Sequence, residues 1–542
     1  MSGIWLILTT LVGFFIAYKW YGHYCSKLLK IDANRSTPAH TMRDGIDYIP
    51  AKAPVLLGHH FASIAGASPI VGPITAAVFG WVPVFLWIFL GAIFIGGIHD
   101  FSSLIASVRH RSRSIGEIIR DYVGDGGKKM FLIFAWSTLI LVIAVFTILV
   151  AKTFVMVPES ATSSILFIFL AVLFGLGVYR MNYPLGIITI VGVAILFGCV
   201  GLGLLFPLKL KLMIWIIILM VYVFIASVTP VWLLLQPRDY LNSFLLYTLI
   251  FAAILGIVFT NPTIHLSAFT TFQTSQGALF PLLFVTVACG AVSGFHSLVA
   301  SGTTAKQLDK ETDAWFIGYG GMLIEGMLAV IALIVAASLT SERFREYLGS
   351  SGGGPIALFS ECIGSFLSKL GIPLHIGTTF SALAVSAFAL SSLDTATRLA
   401  RFAVQEFFES SDGKKNSILS SNRYVATGFC VIIAGAFAIS GEWQAIWPIF
   451  GAANQLLAAI ALLAVSIWLT RLQIKNTFIV YPMLFMFAVT LSALVLLIIQ
   501  NFRSQNIFLM VIAIGLLFVA LFLASFALKS VRAKGISKLN GI

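Results

Sequence analysis

Charge is scarce in this sequence. Only 10% of its 542 residues are Asp, Glu, Lys or Arg, while 59% are hydrophobic and mean hydropathy is +1.00. No soluble core uses that much apolar surface, and repeated apolar runs of about 20 residues are read as membrane-spanning helices. Cysteine is scarce as well: Cys25, Cys199, Cys289, Cys362 and Cys430 lie far apart, with no CxxC or zinc-like spacing. Neither a disulfide framework nor a cysteine metal site is expected. No nucleotide-binding loop is present. The SSGGGP run at 350–355 follows no strand and reads as a turn, so ATP coupling within the chain is not expected. The first apolar run, Gly3 to Tyr18, has no basic n-region and no A-x-A site, and is read as a retained span. No large soluble domain is expected.

What is present is an all-α polytopic pattern. About 15 spans are expected, near 3–21, 56–79, 83–107, 130–151, 163–179, 184–206, 212–235, 240–260, 279–301, 315–339, 375–402, 422–440, 444–469, 477–500 and 506–528. With the N-terminus outside, 27 of the 34 Lys and Arg fall on the cytoplasmic side and 7 on the other, which is the positive-inside pattern. The net charge of +13 is therefore a topology signal, with some attraction for anionic lipid, and no nucleic-acid partner is expected. The expected place is the cytoplasmic (inner) membrane, with the C-terminus cytoplasmic. The expected partners are the lipid bilayer and a small-molecule substrate; the oligomeric state is left open. The segment 357–370 is too short to span and is expected as an amphipathic helix at the outer surface.

Helix breakers interrupt two of these spans. The second contains GHHFASIAGASPIVGP, 58–73, with Gly66, Ser68, Pro69, Gly72 and Pro73 near its middle. Irregular backbone in hydrocarbon is tolerated only where it lines a cavity or is buried in protein. Ser68-Pro69 reads as an N-cap followed by a first-turn proline, a half-helix whose free N–H groups suit a carboxylate. The ninth span repeats the pattern in CGAVSGFHSLVASGTTAK, 289–306. His60 to Gly66 and His296 to Gly302 share a six-residue spacing, in spans of opposite direction, as in an inverted repeat. Close helix packing through small residues would produce similar sequences.

Ionisable groups inside spans default to functional hypotheses. Glu325, about ten residues into its span, is the expected proton carrier; a helix-locking hydrogen bond is the alternative. Asp394 and Arg398, four apart on one helix face, are expected to pair, with Ser391, Ser392 and Thr395 offering oxygens to a cation such as Na⁺. His99 and Asp100 are expected near the cytoplasmic end of the third span as gating contacts. His59 and His60 with His99 and Asp100 are the one weighed metal set, but no histidine box supports it and no metal is expected. Asn454 and Gln455 read as helix–helix hydrogen-bonding groups.

GHHFASIAGASPIVGP, GGIHDFSSLIASVRHRSRSIGEI, SGTTAKQLDKETDAWFIGYGGMLIEG, LDTATRLARF and WPIFGAANQLLAAIALL, in this order from about Pro50 to Leu463, together resemble the carbon starvation protein A (CstA) family. The resemblance implies a peptide transporter or a proton-coupled pyruvate transporter, not an enzyme, with a LeuT/APC-like five-plus-five inverted-repeat fold containing discontinuous helices. The implied division is 1–55 (first span and cytoplasmic loop), 56–206 (first repeat), 207–278 (inserted helices), 279–470 (second repeat) and 471–542 (C-terminal helices and tail). Substrate would be lined by His60, Ser63, Gly66, Ser68, Pro69, His296, Ser301, Gly302 and Thr303. Coupling would fall to Glu325 or to Asp394 with Ser391, Ser392 and Arg398, with H⁺ favoured over Na⁺ and no other cofactor. The alternatives are an intramembrane metal-binding enzyme and a nutrient sensor.

Overall fold

The computed structural model describes residues 2–45, 47–274, 276–349, 352–409, 417–439 and 443–539. These are mostly helical; one two-stranded ribbon, β1 (Gln273–Thr274) with β2 (Gly277–Ala278), closes a connecting loop. Eleven of the described helices are long and apolar enough to cross a membrane, or twelve if one bent pair counts as a span. This is fewer than the fifteen expected. The remaining three expected spans fall on Leu212–Val228 and Arg423–Ile439, each 17 residues, and on a run interrupted between Thr286 and Gly294.

Burial separates an inner from an outer set. The most apolar windows of α6 (Asp125–Met156), α13 (Trp315–Ala337), α15 (Leu374–Phe407) and α17 (Ile446–Arg471) are 83 to 94% buried in protein. In α8 (Leu185–Leu205) the figure is 17%, and Ile187, Ile190 and Leu205 point outward. An apolar helix with its large side chains exposed is satisfied only by lipid, whereas one apolar on all sides belongs inside a bundle. The chain is thus a multi-pass membrane protein.

The remaining helices used below, in chain order, are α1 (Gly3–Leu28), α2 (Ala53–Ala65), α3 (Ser68–Ala76), α4 (Trp81–Arg109), α5 (Ile115–Val123), α7 (Pro158–Tyr179), α9 (Leu212–Val228), α10 (Leu235–Thr260), α11 (Leu279–Thr286), α12 (Gly294–Val299, continued through a π-helical turn, Ala300–Thr304, to Gln307), α14 (Gly354–Ser368), α16 (Arg423–Ile439), α18 (Thr477–Arg503) and α19 (Ile507–Leu539). The segment expected at the surface forms α14. It is mostly buried against α15, with Gly364 set directly on Gly377 and Thr378, because its apolar side chains find protein rather than an interface.

Candidate functional site

Two broken helices meet at the centre. The first bends by 41° between α2 and the helix that runs from Ser68. Gly66 makes the break, at φ +43°, which only glycine adopts freely, and a Cβ there would sit 2.9 Å from the Phe146 ring and the Ser392 hydroxyl. Ala67, not Ser68, caps α3: its carbonyl accepts from the N–H groups of Ile70 and Val71 at 3.2 and 3.0 Å. The Ser68 hydroxyl is buried with no hydrogen-bond partner. The second break runs from Val287 to Ser293. Asn454 holds it, its Oδ1 accepting from the Phe295 N–H at 2.8 Å while its amide donates to Ser293 Oγ at 3.0 Å. Gln455 donates to the carbonyls of Phe284 and Val292 at 3.1 and 3.2 Å. Both amides therefore satisfy backbone freed by the break. Gly72 sets the two breaks in contact, since a Cβ there would lie 2.7 Å from the Thr286 carbonyl oxygen.

The histidine pair of α2 divides the ionisable groups into two clusters. On one side, His60 Nδ1 bonds Thr304 Oγ1 at 2.9 Å, and its ring lies against Gly321 of α13. Nearby, Asp100 joins two histidines: His99 Nδ1 is 2.8 Å from Oδ1, and His296 Nδ1 is 2.8 Å from Oδ2. The other His296 nitrogen, Nε2, approaches Glu325 Oε2 to 3.2 Å, off the line of a hydrogen bond, and neither Glu325 oxygen has a hydrogen-bond partner. No Lys or Arg among the described residues lies within ion-pair distance of Asp100 or Glu325.

On the other side, His59 Nδ1 lies 3.0 Å from Asp239 Oδ2, to which Ser63 Oγ donates at 3.2 Å. Arg238, buried beside Asp239, pairs with it at 3.1 Å and also with Asp394. Tyr222 donates to the same Asp394 oxygen at 2.6 Å. Four helices, α2, α9, α10 and α15, thus share one buried ionic network.

Several expected roles change place. Asp394 pairs with Arg238 of α10 rather than with Arg398. The Arg398 guanidinium points the other way, donating to the carbonyls of Ala226 and Thr229 and standing 3.7 Å from Asp47. The hydroxyls expected around a cation are used elsewhere: Ser392 donates to the Ser63 carbonyl, Thr395 to Ser63 Oγ, and Ser391 accepts from Asn242. His99 and Asp100 are fully buried at the His296 cluster, not at a mouth. His59 faces Asp239, so His59, His60, His99 and Asp100 form no single metal set. The His60 and His296 echoes fall on opposite sides of their breaks, before Gly66 and after Ser293 respectively, since Gly302 lies in the π-turn of a continuing helix. Pro69 is buried in the first turn of α3, and Ser301 and Thr303 donate back to their own helix, to Ser297 and Val299. Ser301 and Gly302 instead border a cavity of about 330 Å³ shared with Tyr48, Lys306, Phe402 and Glu406. A neighbouring cavity of about 690 Å³ is lined by Arg398, Arg401 and Arg423 with Asp47. Both open near the basic loops.

Arg238 and Asp239 were missed because QPRDY lies between two apolar runs and reads as a connection; it is the first turn of α10. The signal is a short polar cluster, Gln236, Arg238, Asp239, Asn242 and Ser243, at the head of a long apolar run.

The sequence profile of the carbon starvation protein CstA family matches residues 2–352 and 344–493. The chain belongs to this family. It is 33% identical to the peptide transporter CstA of Campylobacter jejuni, over 87% of this chain and 76% of that one. It is 31% identical to the peptide transporter CstA of Bacillus subtilis, over 88% and 87%. It is 30% identical to the pyruvate/proton symporter BtsT of Escherichia coli, over 87% and 78%. Its fold is similar to that of a manganese transporter of Eremococcus coleocola, with a TM-score of 0.52 at 12% identity, covering 91% of this chain and 99% of that one. The CstA-family chain described here is a transporter and not an enzyme.

Proposed function

We propose that this CstA-family protein is a proton-coupled secondary transporter that imports small carboxylate-bearing nutrients, short peptides or pyruvate, across the inner membrane during carbon starvation. Its basic loops would face the cytoplasm and its N-terminus the outside. The observation that carries the coupling is the network around Arg238. Two buried carboxylates, Asp239 and Asp394, share one guanidinium, so the network holds one acid more than its fixed cation and favours taking up a proton. Asp394 Oδ1 is buried with no partner, a free carboxylate oxygen able to take a proton, which supports H⁺ over Na⁺. The network spans α2, α9, α10 and α15, so its protonation state would bear on how these helices pack.

Substrate would pass from the broken helices to the cavities at the basic end. The relatives' names support a peptide or pyruvate. The two breaks support a five-plus-five inverted repeat over 56–206 and 279–470, with alternating access by rocking about the breaks. The test is uptake by proteoliposomes of labelled pyruvate and labelled dipeptide, with and without an inward proton gradient, for wild type and Asp394→Asn. Gradient-driven accumulation of one solute is expected in wild type, and equilibration without accumulation in the variant. Undiminished uphill uptake with the proton gradient collapsed would exclude proton coupling.

A further inference from the structure

We propose that Cys289, His296 and Glu325 form a binding site for one divalent transition-metal ion of the zinc or iron(II) class. One ligand atom from each, the thiol sulfur, a ring nitrogen and a carboxylate oxygen, all lie within 4.8 Å of one another, and all three residues are buried. Zinc–ligand bonds of about 2.0–2.3 Å place tetrahedral ligands about 3.3–3.8 Å apart. The 3.2 Å between His296 Nε2 and Glu325 Oε2 is already near that spacing.

Three further observations converge on the same point. First, Asp100 holds His296 through Nδ1, and His99 in turn contacts Asp100, both at 2.8 Å. A carboxylate behind a histidine fixes its tautomer and aims the other nitrogen, as in metal-ligating histidines generally. Second, His296 Nε2 and both Glu325 oxygens are buried with no hydrogen bond. Leaving these polar atoms unsatisfied around one spot is costly, and a cation would satisfy His296 Nε2 and one Glu325 oxygen together. Third, Asp100 and Glu325 have no Lys or Arg beside them among the described residues, unlike Asp239 and Asp394, which have Arg238. A divalent ion supplies the missing positive charge. Thiolate, imidazole and carboxylate together suit a borderline ion and leave a fourth position open.

The ligands join the second break to its neighbour. Cys289 lies in the non-helical stretch, His296 in α12 and Glu325 in α13. The bound ion would pin the break to the inner bundle. The site does not depend on the transport reading above, but an ion there would restrain the second break about which that reading has the protein rock.

The test is cobalt(II) titration of purified, chelator-stripped full-length protein, followed by absorption. Wild type is expected to bind one cobalt per chain and to develop a thiolate-to-cobalt charge-transfer band. Cys289→Ser should lose that band. A variant with Cys25, Cys199, Cys362 and Cys430 replaced by Ser should keep it, and this second variant decides the matter if Cys289→Ser does not elute as a monodisperse species. Asp100→Asn, which orients His296 without touching the ion, should weaken cobalt binding about 10–100-fold. No charge-transfer band in monodisperse wild type, or a band that persists in Cys289→Ser, overturns the site.

Discussion

Arg238 is 1% exposed in its side chain and stands between two carboxylates. Replacing it by Gln leaves Asp239 and Asp394 buried without their cation, a loss of about 3–5 kcal/mol. Asp394→Asn keeps the shape, leaves Asp239 with Arg238 and should cost less. Because the groups share one network, the double variant Arg238→Gln/Asp394→Asn should recover part of the single loss, by about 0.5–3 kcal/mol. A double-mutant cycle on unfolding in detergent measures it; strict additivity would count against the network. Gly66→Ala is expected to be worse than its size implies, because it combines a left-handed φ with a Cβ 2.9 Å from Phe146 and Ser392. Gly186→Ala, where a Cβ would meet nothing within 4 Å, is the control and should leave folded yield unchanged.

Among the elements, the second broken helix depends on one side chain from another span. The Oδ1 of Asn454 accepts the Phe295 N–H at the start of α12, a position where loss of a cap typically costs about 0.5–2 kcal/mol. Asn454→Leu also leaves the Ser293 hydroxyl with only the Cys289 thiol, at 3.4 Å, so a fall in thermal stability is expected together with slower uptake in proteoliposomes. A variant with wild-type stability and uptake would show that the break holds itself. The backbone carbonyls that Gln455 serves have two lone pairs each and tolerate its loss better, so Gln455→Leu should be the milder change.

At the scale of the whole molecule, the basic end is tied together by Glu311, which is fully buried. It accepts from Arg35 at 2.9 Å, from Arg109 at 2.7 Å and from the Asp32 N–H at 3.1 Å, joining the connection after α1 to the end of α4. Glu311→Gln should cost about 1.5–3 kcal/mol and raise protease sensitivity within 29–52. Orientation can be read directly, since all five native cysteines are buried. In intact cells a membrane-impermeant thiol reagent should label Lys209→Cys, and should reach Lys129→Cys only after permeabilisation. The reverse pattern would invert the proposed topology.

Span existence, the two breaks and the family were legible in the sequence because they rest on local properties. Twenty apolar residues demand lipid or protein wherever they sit, Gly66 breaks its helix through its own backbone, and Pro69 suits the first turn of the next. Even Gly66's need for a positive φ is local. The tertiary structure decided who faces whom. Asp394 chose Arg238, 156 residues away, over Arg398 one turn along, because α15 turns Arg398 toward the carbonyls of Ala226 and Thr229. His59 and His60, adjacent in sequence, serve different clusters because neighbouring helical positions point about 100° apart. Cys289, His296 and Glu325 follow no spacing rule, since their meeting depends on a non-helical stretch and on the packing of α13 beside it. Local chemistry sets which segments enter the membrane and where they break; the partner of each buried charge is settled only when the helices pack.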